Sequence, residues 1–224
     1  MVSGLVIALG CVMFLGGFAW AAVLYRPYTV PTESMRPTVA PGDKVLAQKI
    51  SGSDVHRGDV VVFKDKLWGN EPLVKRVVGV GGDTVACCDK QGRLTVDGVP
   101  VDEPYLDGGG TAAQEAFKAT VGKGELFMLG DNRSVSQDSR VHLEDAEGGA
   151  VPASDVKARV DATAWPFGRM GMLPTTSAFD KLPGGGQSPQ GPLRWITFVV
   201  IAGAALIFGG AAYEPLANAL RRRR

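Results

Sequence analysis

Leu73-Val74-Lys75-Arg76-Val77-Val78-Gly79-Val80 is a run of β-branched residues interrupted by two adjacent cations. Val-rich runs of this length favour extended backbone. Period-two alternation then puts Leu73, Lys75 and Val77 on one face and Arg76 on the other. Outward from it lie similar short runs: Lys44-Val45-Leu46-Ala47, Asp59-Val60-Val61-Val62-Phe63, Leu94-Thr95-Val96, Glu125 to Leu129 and Ala158 to Ala164. Turn signals bound them at Pro41-Gly42-Asp43, Arg57-Gly58-Asp59, Gly81-Gly82-Asp83 and Asp97-Gly98. Short strands at this spacing predict a mainly β fold, an antiparallel barrel or sandwich. Residues 107–124, opened by Gly108-Gly109-Gly110, read as a helical or irregular insert. No internal repeat is present.

Two apolar blocks flank this region. Residues 1–25 carry no charged side chain, and Val2 to Leu24 could cross the roughly 30 Å of a bilayer core as a helix. A cleaved leader is the rival reading, with Ala19-Trp20-Ala21-Ala22 as its cleavage site. The block lacks a basic start and exceeds the apolar length of a leader, so an uncleaved anchor is the expectation. Trp20, Tyr25 and Tyr28 suit a membrane interface. Trp195 to Tyr213 form a second uncharged block, followed by Arg221-Arg222-Arg223-Arg224. Basic residues favour the cytoplasmic side, which predicts both termini inside and residues 26–194 outside. The expected divisions are an anchor at 1–25, a β-rich domain at 26–173, a flexible Pro/Gly/Ser/Gln-rich linker at 174–192, a second helix at 193–213 and a basic tail at 214–224.

All acidic residues except Glu214, and all Lys and Arg except those at 221–224, fall between 26 and 194, leaving that stretch slightly acidic. This speaks against a phosphate-binding surface, so no nucleic-acid partner is expected. Of the three cysteines, Cys11 lies in the first apolar block. Cys87 and Cys88 are adjacent in a strand-like run, with side chains expected on opposite faces as free thiols rather than a strained disulfide. No CxxC spacing exists, and no metal or other cofactor is expected. Gly79-Val80-Gly81-Gly82 lacks the helix and third glycine of a nucleotide loop.

Three pieces could carry chemistry. Pro31-Thr32-Glu33-Ser34-Met35-Arg36-Pro37-Thr38 holds a hydroxyl in a stiffened, non-helical segment between prolines; it reads equally as a membrane-exit loop. Lys75 in its apolar run could act as a base if burial kept it neutral, although a strand lysine more often faces solvent. Leu129-Gly130-Asp131-Asn132-Arg133-Ser134-Val135-Ser136-Gln137-Asp138-Ser139-Arg140 is either a solvated connection or a polar scaffold for a buried base. Asn132-Arg133-Ser134 also matches a glycosylation sequon, a pattern common by chance. His56 and His142 read as surface histidines.

Taken in order, these pieces resemble the membrane-bound type I signal peptidases. Ser34-Met35-Arg36-Pro37-Thr38, Arg57-Gly58-Asp59-Val60-Val61-Val62-Phe63, Val74-Lys75-Arg76-Val77-Val78-Gly79 with Gly82-Asp83, and Gly130-Asp131-Asn132-Arg133 with Ser136 and Asp138-Ser139-Arg140 match four family boxes. Leu94 to Tyr105 and Trp165-Pro166-Phe167-Gly168-Arg169 also fit, and coverage runs from about residue 20 to 171. The resemblance implies a serine endopeptidase with Ser34 as nucleophile and Lys75 as general base. Ser136 would hydrogen-bond and orient Lys75, while the Ser34 N–H and the Thr32 hydroxyl would form the oxyanion hole. Asp138 and Arg140 would brace the loop, Asp131 would pair with Arg76, and Met35, Leu73 and Val74 would bind substrate. The implied partners are preprotein signal peptides, cut after an Ala-x-Ala pattern, with membrane lipid and transiently the protein-export machinery. Leu73 stands where relatives often carry an aromatic residue, and Val80-Gly81 where Leu-Pro is common. Residues 141–150 are longer and more acidic than the usual link. The second anchor is similar to forms from high-GC Gram-positive bacteria. The rivals are a self-cleaving Ser-Lys peptidase and a non-catalytic peptide-docking protein.

Overall fold

The computed structural model describes residues 2–106 and 111–221. The described chain divides into two units: the terminal helices, and residues 26–189 between them.

In the helical unit, α1 (Val2–Leu24) carries no charged residue, and α2 (Leu193–Arg221) carries none from Trp195 to Tyr213. Ser3–Leu24 and Leu193–Tyr213 are long and apolar enough to cross a membrane. The helices approach closely through glycine. A Cβ on Gly10 would lie 2.8 Å from the Gly203 carbonyl, and one on Gly203 2.6 Å from the Phe14 nitrogen. Small residues permit this approach where apolar burial supplies no drive. Of the terminal arginines, Arg222, Arg223 and Arg224 lie outside the described residues.

The other unit is mainly antiparallel β. Its strands are β1 (Tyr25–Thr29), β2 (Lys44–Gln48), β3 (Val60–Phe63), β4 (Leu73–Val80), β5 (Thr84–Cys87), β6 (Leu94–Val96), β7 (Val99–Val101), β8 (Phe117–Thr120), β9 (Glu125–Leu129), β10 (Val151–Pro152), β11 (Val156–Trp165) and β12 (Gly171–Met172). The larger sheet runs β1-β2-β11-β3-β4-β9-β10, with β12 on β11; the smaller runs β7-β6-β5-β8. β4 is therefore central, paired through Lys75↔Val61 and Arg76↔Val60 on β3 and through Arg76↔Leu129 on β9. Asp97 and Gly98 both take positive φ (51° and 78°) between β6 and β7, as a tight hairpin turn demands. Buried Val60, Val62 and Val74 pack with Met35 and Val39 in one cluster, and Val61, Phe63 and Val77 pack with Met128 in another. A strand with both faces covered reads as a near-continuous apolar run, as β3 and β4 do.

Three expectations are corrected. The described part of the 107–124 insert contains β8, paired along β5, whose Phe-Lys-Ala-Thr sequence holds only one β-branched residue to announce it; residues 107–110 lie outside the described residues. Cys87 and Cys88 form a disulfide. Strand β5 ends at Cys87, so its alternation does not extend to Cys88. The 174–192 stretch, read as a flexible linker, is packed over most of its length. Phe179 and Leu182 enter the core cluster of the smaller sheet. Arg57 donates to the Pro183 carbonyl at 2.8 Å, and the Ser188 hydroxyl donates to Asp59 at 2.6 Å.

Candidate active site

A one-turn 3-10 helix, Glu33–Met35, follows extended Thr32. It turns consecutive side chains to different sides. Met35 is fully buried among Val30, Val39 and Val45, whereas Ser34 looks into a cleft. The Ser34 carbonyl accepts from the Asn132 N–H at 3.0 Å, which ties this turn to the loop after β9. A Cβ on Gly130 would collide with the Ser34 carbonyl and the Ser136 hydroxyl, so only glycine lets loop and turn meet.

Lys75 reaches the same cleft from the middle of β4 and is 3% exposed. Its Nζ donates to Ser34 Oγ at 2.7 Å, and the Thr32 hydroxyl lies 3.1 Å from the same oxygen. Burial pushes the amine down to about 8, partly opposed by Asp138 and Asp131 and reinforced by Arg140. No ion pair to Lys75 occurs among the described residues. A neutral amine hydrogen-bonded to a hydroxyl can act as a proton acceptor.

The next residue is treated differently. Arg76, 1% exposed, donates from Nε and Nη2 to the two Asp131 oxygens at 2.8 and 2.7 Å and from Nη1 to the Gly58 carbonyl at 2.7 Å. Thr38 donates to Asp131 at 2.5 Å, and the Arg76 guanidinium lies 4.0 Å over the Tyr105 ring. Tyr105 donates to Glu103 at 2.6 Å, and Glu103 pairs with Arg133. Although burial disfavours its charge, the Asp131 carboxylate raises the Arg76 pKa above its ordinary value.

The loop of residues 130–140 is braced internally. Asp138 accepts from Gly130 N at 3.0 Å and from Arg140 Nε and Nη2, both at 2.8 Å. Burial pushes Asp138 up, but the hydrogen bonds and charge of Arg140 and the Gly130 N–H outweigh it and hold the carboxyl below the usual range. The Ser139 hydroxyl accepts from the Met128 N–H at 2.9 Å.

Of the residues singled out in the sequence, Ser34, Lys75, Thr32 and Leu73 line one cleft of about 340 Å³. Asp131 and Arg76 form a buried ion pair, and buried Asp138 pairs with half-buried Arg140. Met35 and Val74, expected to bind substrate, belong to the core cluster instead. For Val74 the reason is alternation: it points away from Leu73 and Lys75. Ser136, expected to orient Lys75, does not bond to it. Its buried hydroxyl rests against Gly130, beside the Asp138 carboxylate that it helps to hold low. Sequence reasoning missed Trp68 and His142, which also line the cleft, stacked with ring centres 4.4 Å apart. The unusual length of 141–150 was the available hint.

Comparison with known proteins agrees in one direction. The family described as signal peptidase, peptidase S26 matches residues 2–165. Signal peptidase I of Mycobacterium tuberculosis is 32% identical over 200 residues, covering 66% of this chain and 67% of that one. Signal peptidase IB of Staphylococcus aureus is 33% identical over 174 residues, covering 70% and 86%. A crystal structure of a signal peptidase I from Enterococcus faecalis is 27% identical, with a TM-score of 0.37, covering 46% of this chain and 93% of that one.

Proposed function

We propose, from the premise that this chain belongs to the signal peptidase, peptidase S26, family, that its serine peptidase activity runs on a Ser34–Lys75 dyad. The family's reaction is removal of signal peptides, and this membrane-anchored chain performs it on preproteins. The observation that carries the dyad is the 2.7 Å contact between the Ser34 hydroxyl and an amine pushed down to about 8.

Neutral Lys75 takes the Ser34 proton as Oγ attacks the carbonyl of the scissile peptide. The negative charge that develops on that carbonyl oxygen is met by the Ser34 N–H and the Thr32 hydroxyl. One such donor is worth roughly 3–4 kcal/mol of barrier. Protonated Lys75 then delivers its proton to the departing amine, the C–N bond breaks and an ester to Ser34 remains. Lys75, neutral again, takes a proton from water; the hydroxide adds to the ester, and the proton returns to Oγ as the acid leaves. Asp138 with Arg140, and Asp131 with Arg76, hold the loop and β4 in place around this pair.

An extended substrate strand beside the nucleophile turn would place the side chains one and three residues before the cut on the same face, towards the cleft. Small residues there give an Ala-x-Ala preference. Both helices span the membrane, with the termini cytoplasmic and the β domain outside. Lipid confines enzyme and substrate to one surface and raises their effective concentration; contact with the export machinery is transient. The test is incubation of the full chain in lipid vesicles with a preprotein, followed by mass spectrometry of the products. Cutting after Ala-x-Ala by the wild type, and none by Ser34→Ala or Lys75→Ala, is the expected result. A cut elsewhere, or an active Lys75→Ala variant, removes the assignment.

A further inference from the structure

The cleft that holds Ser34 and Lys75 has a wall the four family boxes do not contain. It comes from two loops, at residues 64–72 and at 141–145. Trp68 is presented by a turn locked around Asp65, whose buried carboxylate accepts from Leu67 N at 2.7 Å and Trp68 N at 3.0 Å. The Asp65 carbonyl accepts from Asn70 N at 2.7 Å and closes the turn. The indole is then held by two rings. His142 stacks on it, with centres 4.4 Å apart and planes 15° from parallel. Phe63, wholly buried, meets it edge-on at 5.4 Å and 80°. His142 is itself fixed by Asp145 through Nδ1 at 2.7 Å.

We infer that the Trp68–His142 pair is the specificity-determining wall of this cleft, a braced plate that excludes bulky side chains from the substrate positions just before the cut. This rests on the peptidase reading of the same cleft. An indole free to rotate would swing aside for a larger guest, whereas one stacked, edge-packed and hung from a closed turn must stay where it is. Trp68 and Leu73 line the cleft together and both pack against the core cluster that holds Phe63 and Met128. The residues one and three before the cut share a face in an extended strand, so both side chains enter the walled cleft. A fixed apolar wall discriminates by roughly 10- to 200-fold per misfitting group.

The experiment measures kcat/KM of the full chain in vesicles for preproteins carrying Ala, Val, Leu or Phe at the last or third-last residue before the cut. In the wild type Ala is preferred. Trp68→Ala raises the Leu-to-Ala ratio at one or both positions by about tenfold or more, as expected when an excluding wall is removed. His142→Ala, which keeps the Phe63 contact, raises it by less, and His142→Phe returns it towards the wild-type value by restoring the stack. Should Trp68→Ala fold poorly, the His142 pair decides the matter. Ratios that stay at the wild-type value in variants still cutting the Ala substrate overturn the wall. A wild type that cuts no member of the series overturns the peptidase reading beneath it.

Discussion

The two faces of β4 bury neighbouring cations and do opposite things with them. On the inner face Arg76 meets a carboxylate squarely, with Gly58, Thr38 and Tyr105 completing its surroundings. On the cleft face Lys75 meets a hydroxyl. Burial alone penalises either charge. What separates them is the partner: Asp131 keeps the guanidinium charged, while the amine falls to about 8. Arginine suits the first place because it stays protonated and offers a planar fork. Lysine suits the second because its proton can leave.

The largest effects should come from erasing the cleft side. Ser34→Ala and Lys75→Ala are each expected to lower kcat/KM by about 10⁴ or more, as removal of a nucleophile or its base does, with the circular dichroism spectrum of the folded domain retained. Lys75→Arg should be equally inactive, since a guanidinium cannot become the base; activity in that variant would show that the two faces are not chemically distinct. Next is the inner face. Asp131→Ala leaves Arg76 buried and unpaired, which should lower stability by about 3–5 kcal/mol in denaturant unfolding. A loss near zero would mean that the pair is dispensable. A smaller change of opposite sign is expected for Lys75→Met. The folded Lys75 pKa lies below its ordinary 10.5, at about 8. The charged form is therefore the disfavoured one, and wild-type folding is penalised fully below about pH 8. The penalty fades as pH rises towards 10.5. Lys75→Met should gain about 3 kcal/mol near pH 7 and progressively less above pH 8. Gly130→Ala should be the mildest, costing about 1–3 kcal/mol through crowding of the Ser34 carbonyl.

The two faces differed in legibility as well. The short apolar runs declared β3, β4 and β9, because hydrophobic patterning and turn glycines are local properties. Motif order brought Ser34 and Lys75 together before any geometry was known. Burial of the Lys75 amine was not legible, since it depends on β9 and the loop of residues 130–140, fifty or more residues away in the chain. The same holds for Trp68 and His142, whose stacking joins two loops that look polar in isolation. Composition misled at 174–192: a Pro- and Gly-rich segment reads as loose, yet Phe179 and Leu182 suffice to seat it in the core. Met35 followed Ser34 so closely that it read as part of the site, when the 3-10 turn sends it inward.

The central claim concerns the protonation of one amine. The direct measurement is the titration of Lys75 in the folded chain, followed by NMR of isotopically labelled lysine side chains and assigned by loss of the signal in Lys75→Met. The account predicts a midpoint at about pH 8, matched by the ascending limb of kcat/KM against pH. A midpoint at the ordinary lysine value, near 10.4, with activity rising at an unrelated pH, would contradict it.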